Sequence, residues 1–144
     1  KTLDIGRIGI AAQSIGVAGA CLEEAVKFAK EHETENGKLK DQQFIAFTIA
    51  EMAAKLRAAR ELTYEAARLK DAQDPEASPL ASMAKLFASE VCNELAAKSM
   101  QIHGEYGYMK GRLIERLYRD SRVLTIYEGT SQVQKMVISA SLLK

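Results

Sequence analysis

Proline is almost absent from this sequence, and that absence narrows the folds open to it. The only two prolines, Pro75 and Pro79, fall within one short stretch. Proline breaks helices because it removes a backbone donor and clashes with the preceding turn, so long helices are possible on both sides. Apolar residues recur there at three- and four-residue steps, which places them on one helix face. No segment reads as a credible strand. The sequence therefore predicts an all-α protein.

The periodic segments predict five helices. Three are long, at about 3–31, 41–71 and 78–103, and two shorter ones follow, at about 113–122 and from 130 or 131 onward. Ser78 before Pro79 is typical of an N-cap and first helical residue, Gly104 is an end signal, and Asn36-Gly37 marks a turn. Three long helices and a C-terminal pair favour an up-down, four-helix-type bundle with a short extra helix.

The helical stripes predict which residues face the core. They include Ile8, Ala11, Ala12, Ile15 and Ala18 in the first segment, Ile45, Met52 and Leu56 in the second, Phe87, Val91 and Leu95 in the third, and Val133, Val137, Ala140 and Leu143 in the last. Four glycines, Gly6, Gly9, Gly16 and Gly19, interrupt the first segment. Each costs roughly 1 kcal/mol against alanine in a helix interior, which suggests close approach of another helix or a ligand.

Composition excludes several classes of function. Hydrophobic residues make up 47% and charged residues 27% of the chain, which is typical of a globular domain. A net charge of +1 gives no electrostatic reason to bind nucleic acid or an anionic membrane. No apolar run approaches the roughly 20 residues of a membrane span, and no metal-ligand spacing is present, so neither is expected. Cys21 and Cys92 lie inside helical patterns and are expected to be buried free thiols in a reducing compartment.

One segment, Tyr118–Gln134, stands apart from the helical pattern. Within it, Glu128 is a lone carboxylate between Tyr127 and Gly129, just before a helix start. Gly129 permits close approach of a ligand, and the helix N-terminus that follows favours anions. On physical grounds alone, a carboxylate that stabilises the helix start is the simpler interpretation. His32 and His103 are isolated and are interpreted as surface or hydrogen-bonding residues.

Four segments resemble the acyl-CoA dehydrogenase family, in the family's order and across essentially the whole chain. The run Ile126-Tyr-Glu-Gly-Thr-Ser-Gln-Val-Gln134 resembles the family's C-terminal signature, and so does Arg116–Arg122 before it. Gln101–Tyr108 resembles the loop Gln-x-x-Gly-Gly-x-Gly-Tyr, and Leu3–Gln13 is most like the short-chain and butyryl-CoA branch. The resemblance implies that residues 1–144 are the C-terminal helical domain of a three-domain protein. The N-terminal helical and middle β domains are absent, and the abrupt start at Lys1 also suggests a fragment.

The resemblance further implies an FAD-dependent enzyme that oxidises acyl-CoA thioesters to trans-2-enoyl-CoA. Glu128 matches the catalytic base that removes the α-proton while FAD takes the β-hydride, a role that needs a desolvated, well-placed carboxylate. The backbone N–H at Glu128 matches an oxyanion-type contact to the thioester oxygen. Gly129 matches a substrate contact, and Asp4 and Arg7 match the pair that meets the CoA ester. The chain is expected to be inactive in isolation.

The implied cofactor and partner contacts extend to both ends of the sequence. Positions that match flavin contacts are Gln43, Gln101, Gly104, Glu105, Thr130, Ser131, Gln132 and His32. The loop Gln101–Glu105 matches one that meets the FAD of a neighbouring subunit, which implies a homodimer or homotetramer with FAD at the interface. Electron-transferring flavoprotein is the implied electron acceptor. The implied location is the cytoplasm of a bacterium or the mitochondrial matrix of a eukaryote.

Two positions depart from the family pattern. His32 stands where the family has an arginine that contacts the partner's FAD pyrophosphate, and a neutral histidine binds phosphate less well than a bidentate, always-charged arginine. Glu105 adds a side chain where the loop's second glycine is expected. Weaker or altered FAD binding is therefore expected. The alternatives are an acyl-CoA oxidase or an enoyl-CoA reductase of the same superfamily, or a helical bundle that acts only as an interaction module.

Overall fold

The computed structural model describes residues 2–144 and has the predicted all-α architecture. Its helices are α1 (Thr2–Glu31), α2 (Gln43–Asp71), α3 (Ala77–His103), α4 (Leu113–Ser121) and α5 (Ser131–Leu142). Short 3-10 segments lie at Leu39–Asp41, Gly104–Tyr108 and Arg122–Thr125. All five predicted helices are present, with starts and ends within about two residues of the predicted bounds, the usual uncertainty at helix ends.

A small hairpin joins α1 to α2, so the prediction of no strands was wrong at this point. Its strands are β1 (Glu33–Thr34) and β2 (Gly37–Lys38), paired antiparallel with Glu33 opposite Lys38. The turn lies at Glu35-Asn36, one residue before the predicted Asn36-Gly37, and Gly37 opens β2 with a φ of 97°, which glycine adopts without strain. Two residues per strand are too few to show alternation, which is why the pattern gave no signal.

Helix α3 lies at the centre and packs against each of the other four α-helices. Small residues line its contact with α1, where Ala11, Ala18, Ala81, Ala84 and Ala88 are at most 1% exposed. The distance between packed helices depends on the side chains at the contact, so these alanines allow a close approach. Larger buried side chains fill the remaining space, namely Met52, Leu95, Ile114 and Leu124.

The predicted core face of α5 was wrong. Val133 is 40% exposed and Leu143 is 84% exposed, whereas the buried residues of α5 are Ser131 and Gln134. The physical reason is that α5 packs mainly on α3, so apolar residues on its other faces stay exposed. Two further stripe positions, Ala12 and Phe87, are also exposed.

Helix α1 meets the length and hydropathy criteria for a membrane-spanning helix. Its segment Leu3–Glu31 contains a window of mean hydropathy 1.4, of which 33% is buried inside the protein. By this measure the sequence expectation of no such segment does not hold. A core helix of a helical bundle passes the same test, and α1 contributes Ala11, Ile15, Ala18 and Ala25 to the core.

Both cysteines are free and buried, as predicted. Cys21 and Cys92 are each 0% exposed. Burial, followed by the nearby charge of Glu24, raises the pKa of Cys21 to about 12, and burial raises the pKa of Cys92 to about 12 as well. Thiols react mainly as thiolates, so both are chemically quiet in the folded protein.

Candidate functional site

The turn that connects the third 3-10 segment to α5 carries the most unusual backbone of the protein. Glu128 has a φ of 54° and Gly129 a φ of 94°, so two consecutive residues are left-handed. Among the described residues other than glycine, only Gln73 shares a positive φ. The left-handed region is unfavourable for a residue with a Cβ, because Cβ crowds the following carbonyl oxygen. Such a conformation persists only where the surroundings hold it.

Two buried side chains hold this turn from different helices. Gln134 of α5 donates through Nε2 to the carbonyl of Glu128 at 3.3 Å and to that of Gly129 at 3.0 Å. Lys85 of α3 donates through Nζ to the Gly129 carbonyl at 2.6 Å. Both side chains are 0% exposed. The two consecutive carbonyls of the turn are therefore fixed from inside the domain.

The Glu128 carboxylate lies against the backbone of α1 at Gly6. A Cβ built on Gly6 would stand 2.5 Å from Glu128 Oε2, closer than real Cβ contacts allow, and 3.0 Å from Glu128 Cδ, tighter than most of them. A Cβ on Gly9, Gly16 or Gly19 would meet no atom within 4 Å. The close approach suggested by the α1 glycines therefore exists at Gly6, and its partner in this chain is Glu128. The carboxylate itself is exposed.

A buried polar network surrounds the start of α1. Asp4 and Arg7 are 6% and 7% exposed, and Arg7 Nη1 donates to Asp4 Oδ1 at 3.2 Å. Ser78 Oγ donates to the same oxygen at 3.0 Å, and Lys70 Nζ donates to Oδ2 at 3.4 Å. Burial tends to raise the pKa of Asp4, but the bonds from Ser78 and Lys70 outweigh it and hold that pKa below 3.8. Arg7 Nε has no hydrogen-bond partner among the described residues.

The predicted N-cap at Ser78 was wrong. Helix α3 begins one residue earlier, and its N-cap, Glu76, makes no side-chain capping bond. The Ser78 hydroxyl is used for Asp4 because the first turn of α3 lies against the start of α1. An open cavity of about 460 Å³ adjoins this point and is lined by Asp4, Lys70, Gln73, Asp74, Pro75, Ala77 and Ser78.

The residues after Glu128 form the N-terminus of α5. The helix begins at Ser131, one of the two predicted starts, and Thr130 is its N-cap, whose hydroxyl accepts from the Val133 N–H at 3.3 Å. Ser131 is buried and donates to Glu90 Oε1 of α3 at 2.6 Å, whereas Gln132 is exposed. The first-turn N–H groups of a helix have no partner within it and carry its positive dipole end. This end of α5 therefore offers donors beside Glu128.

The other predicted flavin positions lie elsewhere. His32 directly follows α1 and stacks on Phe28 with 4.7 Å between ring centroids, while Tyr106 meets it edge-on at 5.4 Å. Gln43 opens α2, Gln101 lies in the last turn of α3, and Gly104 and Glu105 follow it, all four exposed. Gln101 also lines a groove of about 460 Å³ that includes the exposed rings of Phe44 and Phe47.

The predicted site residues thus fall into two groups at opposite ends of α1. His32 lies 26 positions after Gly6, and a rise of 1.5 Å per residue separates them by roughly 39 Å. The group near Gly6 comprises Asp4, Arg7, Glu128, Gly129, Thr130, Ser131 and Gln132. The group near His32 comprises His32, Gln43, Gln101, Gly104 and Glu105. No three or more His, Cys, Asp or Glu side chains within residues 2–144 are placed to hold a metal ion.

Sequence reasoning missed three residues that shape the Glu128 turn, namely Gly6 as its contact, and Lys85 and Gln134 as its donors. Lys85 carried a usable signal, because it shares helical phase with Ala81, Ala88 and Cys92, all of which are buried. A lysine on a buried helix face is rarely left without a partner. Burial lowers the pKa of Lys85, although the charges of Glu90 and Glu128 act in the opposite direction.

Residues 1–143 match the family described as acyl-CoA dehydrogenase, C-terminal domain. The whole chain is 60% identical to the caffeyl-CoA reductase-Etf complex subunit CarC of Acetobacterium woodii and 46% identical to the mitochondrial short-chain specific acyl-CoA dehydrogenase of Bos taurus. It spans 38% and 35% of those two proteins. The butyryl-CoA dehydrogenase of Megasphaera elsdenii superposes with a TM-score of 0.97 at 40% identity, over 99% of this chain and 37% of that one.

Proposed function

The chain belongs to the acyl-CoA dehydrogenase family as a C-terminal domain, and on that premise we propose that it is one domain of a longer flavoprotein that dehydrogenates acyl-CoA thioesters to trans-2-enoyl-CoA. The observation that carries the proposal is the Glu128 carboxylate, held by a left-handed turn against Gly6. It stands beside the N-terminus of α5 and near the buried Asp4–Arg7 pair. A general base must be well positioned before its basicity matters, and the fixed position of the Glu128 carboxylate supports that role.

In the proposed reaction, Glu128 takes the α-proton of the thioester. As the proton passes to the carboxylate, the electron pair of the α-C–H bond forms the double bond between the α- and β-carbons and the β-hydride departs. FAD, when bound, would accept that hydride, and Thr130, Ser131 and Gln132 would hold the cofactor. The backbone N–H of Glu128 is proposed to donate to the thioester oxygen, where negative charge develops as the α-proton leaves. Other domains of the full-length protein are proposed to cover the carboxylate, which is exposed in this domain.

We assign the CoA contact at the start of α1 mainly to Arg7. Asp4 already accepts hydrogen bonds from Arg7, Ser78 and Lys70, so its carboxylate serves to hold Arg7 in place. Arg7 Nε has no protein partner within residues 2–144. A buried donor without a partner is unfavourable, so the guanidinium keeps donor capacity that Asp4 does not use, and we propose this side chain as the CoA contact. Gly129 adds no side chain where the substrate approaches.

The two groups of flavin positions are best explained by two FAD molecules. The ends of α1 are roughly 39 Å apart, which exceeds the length of one dinucleotide. We therefore propose that Thr130, Ser131 and Gln132 serve the flavin of the same subunit. The group around His32 serves the flavin of a neighbouring subunit, in a homodimer or homotetramer.

The fit of FAD differs between the two groups. The α5 N-terminus presents backbone donors and the positive end of a helix dipole, which suits a polar or anionic ligand. At the far end the His32 ring is stacked on Phe28 rather than standing free, and the exposed Glu105 adds a negative charge. Altered FAD affinity at this second contact is part of the proposal.

A test of the proposal is Glu128→Gln in the full-length protein, which keeps the size of the side chain and removes the base. We expect loss of α-proton abstraction, measured as loss of α-deuterium exchange from labelled butyryl-CoA. Acyl-CoA binding, measured by calorimetry, should be retained. Turnover in this variant would remove Glu128 from the role of base. The isolated residues 1–144 are expected to bind FAD weakly and not to dehydrogenate butyryl-CoA, and a yellow, active preparation would contradict this.

A second candidate is the reverse reaction, reduction of a 2-enoyl-CoA. The 60% identity to a caffeyl-CoA reductase subunit favours it, because that identity exceeds the 46% shared with the short-chain acyl-CoA dehydrogenase. In this direction Glu128 in its acid form would deliver the α-proton. Rates measured in both directions on the full-length protein, with an artificial electron acceptor or a reduced dye, decide between the two.

The electron partner and location are proposed on the same basis. CarC is named as a subunit of a complex with Etf, and electron-transferring flavoprotein is accordingly the proposed partner. A bacterial cytoplasm or a mitochondrial matrix is the proposed location. A purely structural helical module is the contrasting hypothesis. A parent protein without helical and β domains upstream of residue 1 would favour that hypothesis over the enzyme.

A further inference from the structure

Lys85 is the largest side chain among those that are fully buried, and its position is energetically unusual. Removing an ammonium group from water is unfavourable unless the charge is well compensated. Its hydrogen bond goes to a neutral acceptor, the Gly129 carbonyl, at 2.6 Å. Glu90 and Glu128 are close enough to favour its charged form, while Arg7 disfavours it. Because burial of the Lys85 ammonium group is unfavourable, its presence here indicates that the Glu128 turn needs this hydrogen bond.

Gln134 shows the same pattern from the opposite helix. Its Nε2 donates to the carbonyls of both Glu128 and Gly129, while its buried Oε1 has no partner among the described residues. A buried amide oxygen without a hydrogen-bond partner is unfavourable for folding. Stability alone therefore does not explain the position of Gln134. A Cβ on Gly129 would stand 2.6 Å from Gln134 Nε2, so the glycine is what lets the amide reach both carbonyls.

We infer that Lys85 and Gln134 are positioning residues for Glu128, and this inference rests on the proposed function. Together they hold the two carbonyls of the turn and so keep Glu128 left-handed. If Glu128 relaxed to a negative φ, its side chain would leave Gly6 and its N–H would change direction. The carboxylate and the proposed oxyanion donor would then be lost together, because both belong to one residue.

Anchoring of α5 does not depend on these two donors. Ser131 donates to Glu90 of α3, and the Thr130 hydroxyl caps the helix. Neither bond involves the carbonyls of Glu128 or Gly129. Loss of Lys85 or Gln134 should therefore release the turn while α5 stays packed on α3. This separation makes a positioning role distinguishable from a general role in stability.

The test uses three variants of the full-length flavoprotein, Lys85→Met, Gln134→Met and Lys135→Met. The first two keep side-chain length and remove the donors. Lys135 is exposed and adjacent to Gln134 on α5, so its variant controls for loss of a lysine charge near the site. Measurements are kcat and KM for butyryl-CoA, the isotope effect with α-deuterated substrate, the melting temperature, and hydrogen exchange of the backbone around residues 126–132.

For Lys85→Met and Gln134→Met we expect kcat to fall by roughly tenfold to a hundredfold, the loss that about 1 Å of misplacement causes. KM should stay within about twofold, the α-deuterium isotope effect should rise as proton abstraction becomes slower, and residues 126–132 should exchange faster. Lys135→Met should match the wild type. If Lys85→Met does not fold, Gln134→Met, which replaces one neutral group by another, carries the test alone.

Two results from these three variants would overturn the inference. One is a folded Gln134→Met protein with wild-type kcat and wild-type exchange around Glu128. The other is an equal loss in Lys135→Met. Glu128→Gln, measured in parallel, separates this inference from the proposed function. Activity in Glu128→Gln refutes both, whereas an inactive Glu128→Gln beside fully active Lys85→Met and Gln134→Met refutes only the positioning role.

Discussion

The contact between Gly6 and Glu128 gives the sharpest prediction, because one methyl group should separate stability from activity. In Gly6→Ala the new Cβ would stand 2.5 Å from Glu128 Oε2, which is 0.9 Å short of the 3.4 Å at which ordinary contact begins. The α1 backbone is held in a helix, whereas Oε2 is the end of a flexible, exposed side chain. The carboxylate should therefore move by about 1 Å, a shift that can cost up to roughly a hundredfold in rate.

The same substitution should stabilise the fold. Alanine is preferred over glycine in a helix interior by about 1 kcal/mol, and moving the end of an exposed glutamate costs little. Gly6→Ala is therefore expected to raise the free energy of unfolding by up to about 1 kcal/mol. The proposed activity of the full-length protein towards butyryl-CoA should fall by about tenfold to a hundredfold. A loss of activity with a gain of stability is not what a simple packing defect produces.

Gly9→Ala is the matched control. Gly9 lies in the same helix, and a Cβ there would meet no atom within 4 Å. It should give the same gain in stability, measured by urea unfolding of the full-length protein, with unchanged kcat and KM. Wild-type kcat in Gly6→Ala, or an equal loss of activity in Gly9→Ala, would refute the claim that Gly6 determines the position of the Glu128 carboxylate.

Three further predictions concern stability and reactivity. Cys21 and Cys92, with pKa values near 12, should be about one part in ten thousand thiolate at pH 8, so a thiol reagent should label them only as the protein unfolds; rapid labelling of native protein contradicts this. Asp4 has a folded-state pKa below 3.8, so its contribution to the free energy of unfolding is present above pH 3.8 and is lost as the pH falls through the lowered value. Asp4→Asn should flatten the acid limb of the curve of stability against pH, and an unchanged acid limb would contradict the Asp4 network. Gly107→Ala would place a Cβ 2.9 Å from the Met100 carbonyl oxygen, which is backbone and cannot move aside as a side chain can. Urea unfolding should therefore show a free energy of unfolding lower by roughly 1–3 kcal/mol, and wild-type stability would refute the clash.

Most of the fold could be predicted from the sequence because its helices are long and nearly free of proline. Long periodic segments give reliable elements, whereas the hairpin at 33–38 was too short to leave a pattern. The face of α5 was wrong for a different reason. Val133 and Leu143 belong to an apolar stripe with three- and four-residue steps, but periodicity does not say whether another element covers that face. In this domain the face is open, and Ser131 and Gln134 are buried instead.

The candidate site was only partly accessible to sequence reasoning. Glu128 was found through its flanking residues, and its role stays a prediction. Its contact with Gly6 was not predictable, because 122 positions separate the two residues and only the packed bundle brings them together. Lys85 was missed because lysine is expected at the surface. Residues such as Lys85, which hold a reactive group in place, belong to no sequence motif. They are recognised in the structure by their burial and their hydrogen-bond partners.

The length of α1 also fixes how far its two ends are rotated relative to each other about the helix axis. Each residue of an α-helix advances the chain by about 1.5 Å and rotates it by about 100°. A single residue inserted between Gly16 and Gly19 would therefore turn the His32 end by roughly a quarter of a circle relative to Gly6, while both ends kept their own residues intact. In the proposed assembly, in which two flavins depend on opposite ends of one helix, such an insertion would leave each half-site chemically complete but would misalign the two half-sites. Substitutions in α1 should accordingly be tolerated far more widely than insertions or deletions.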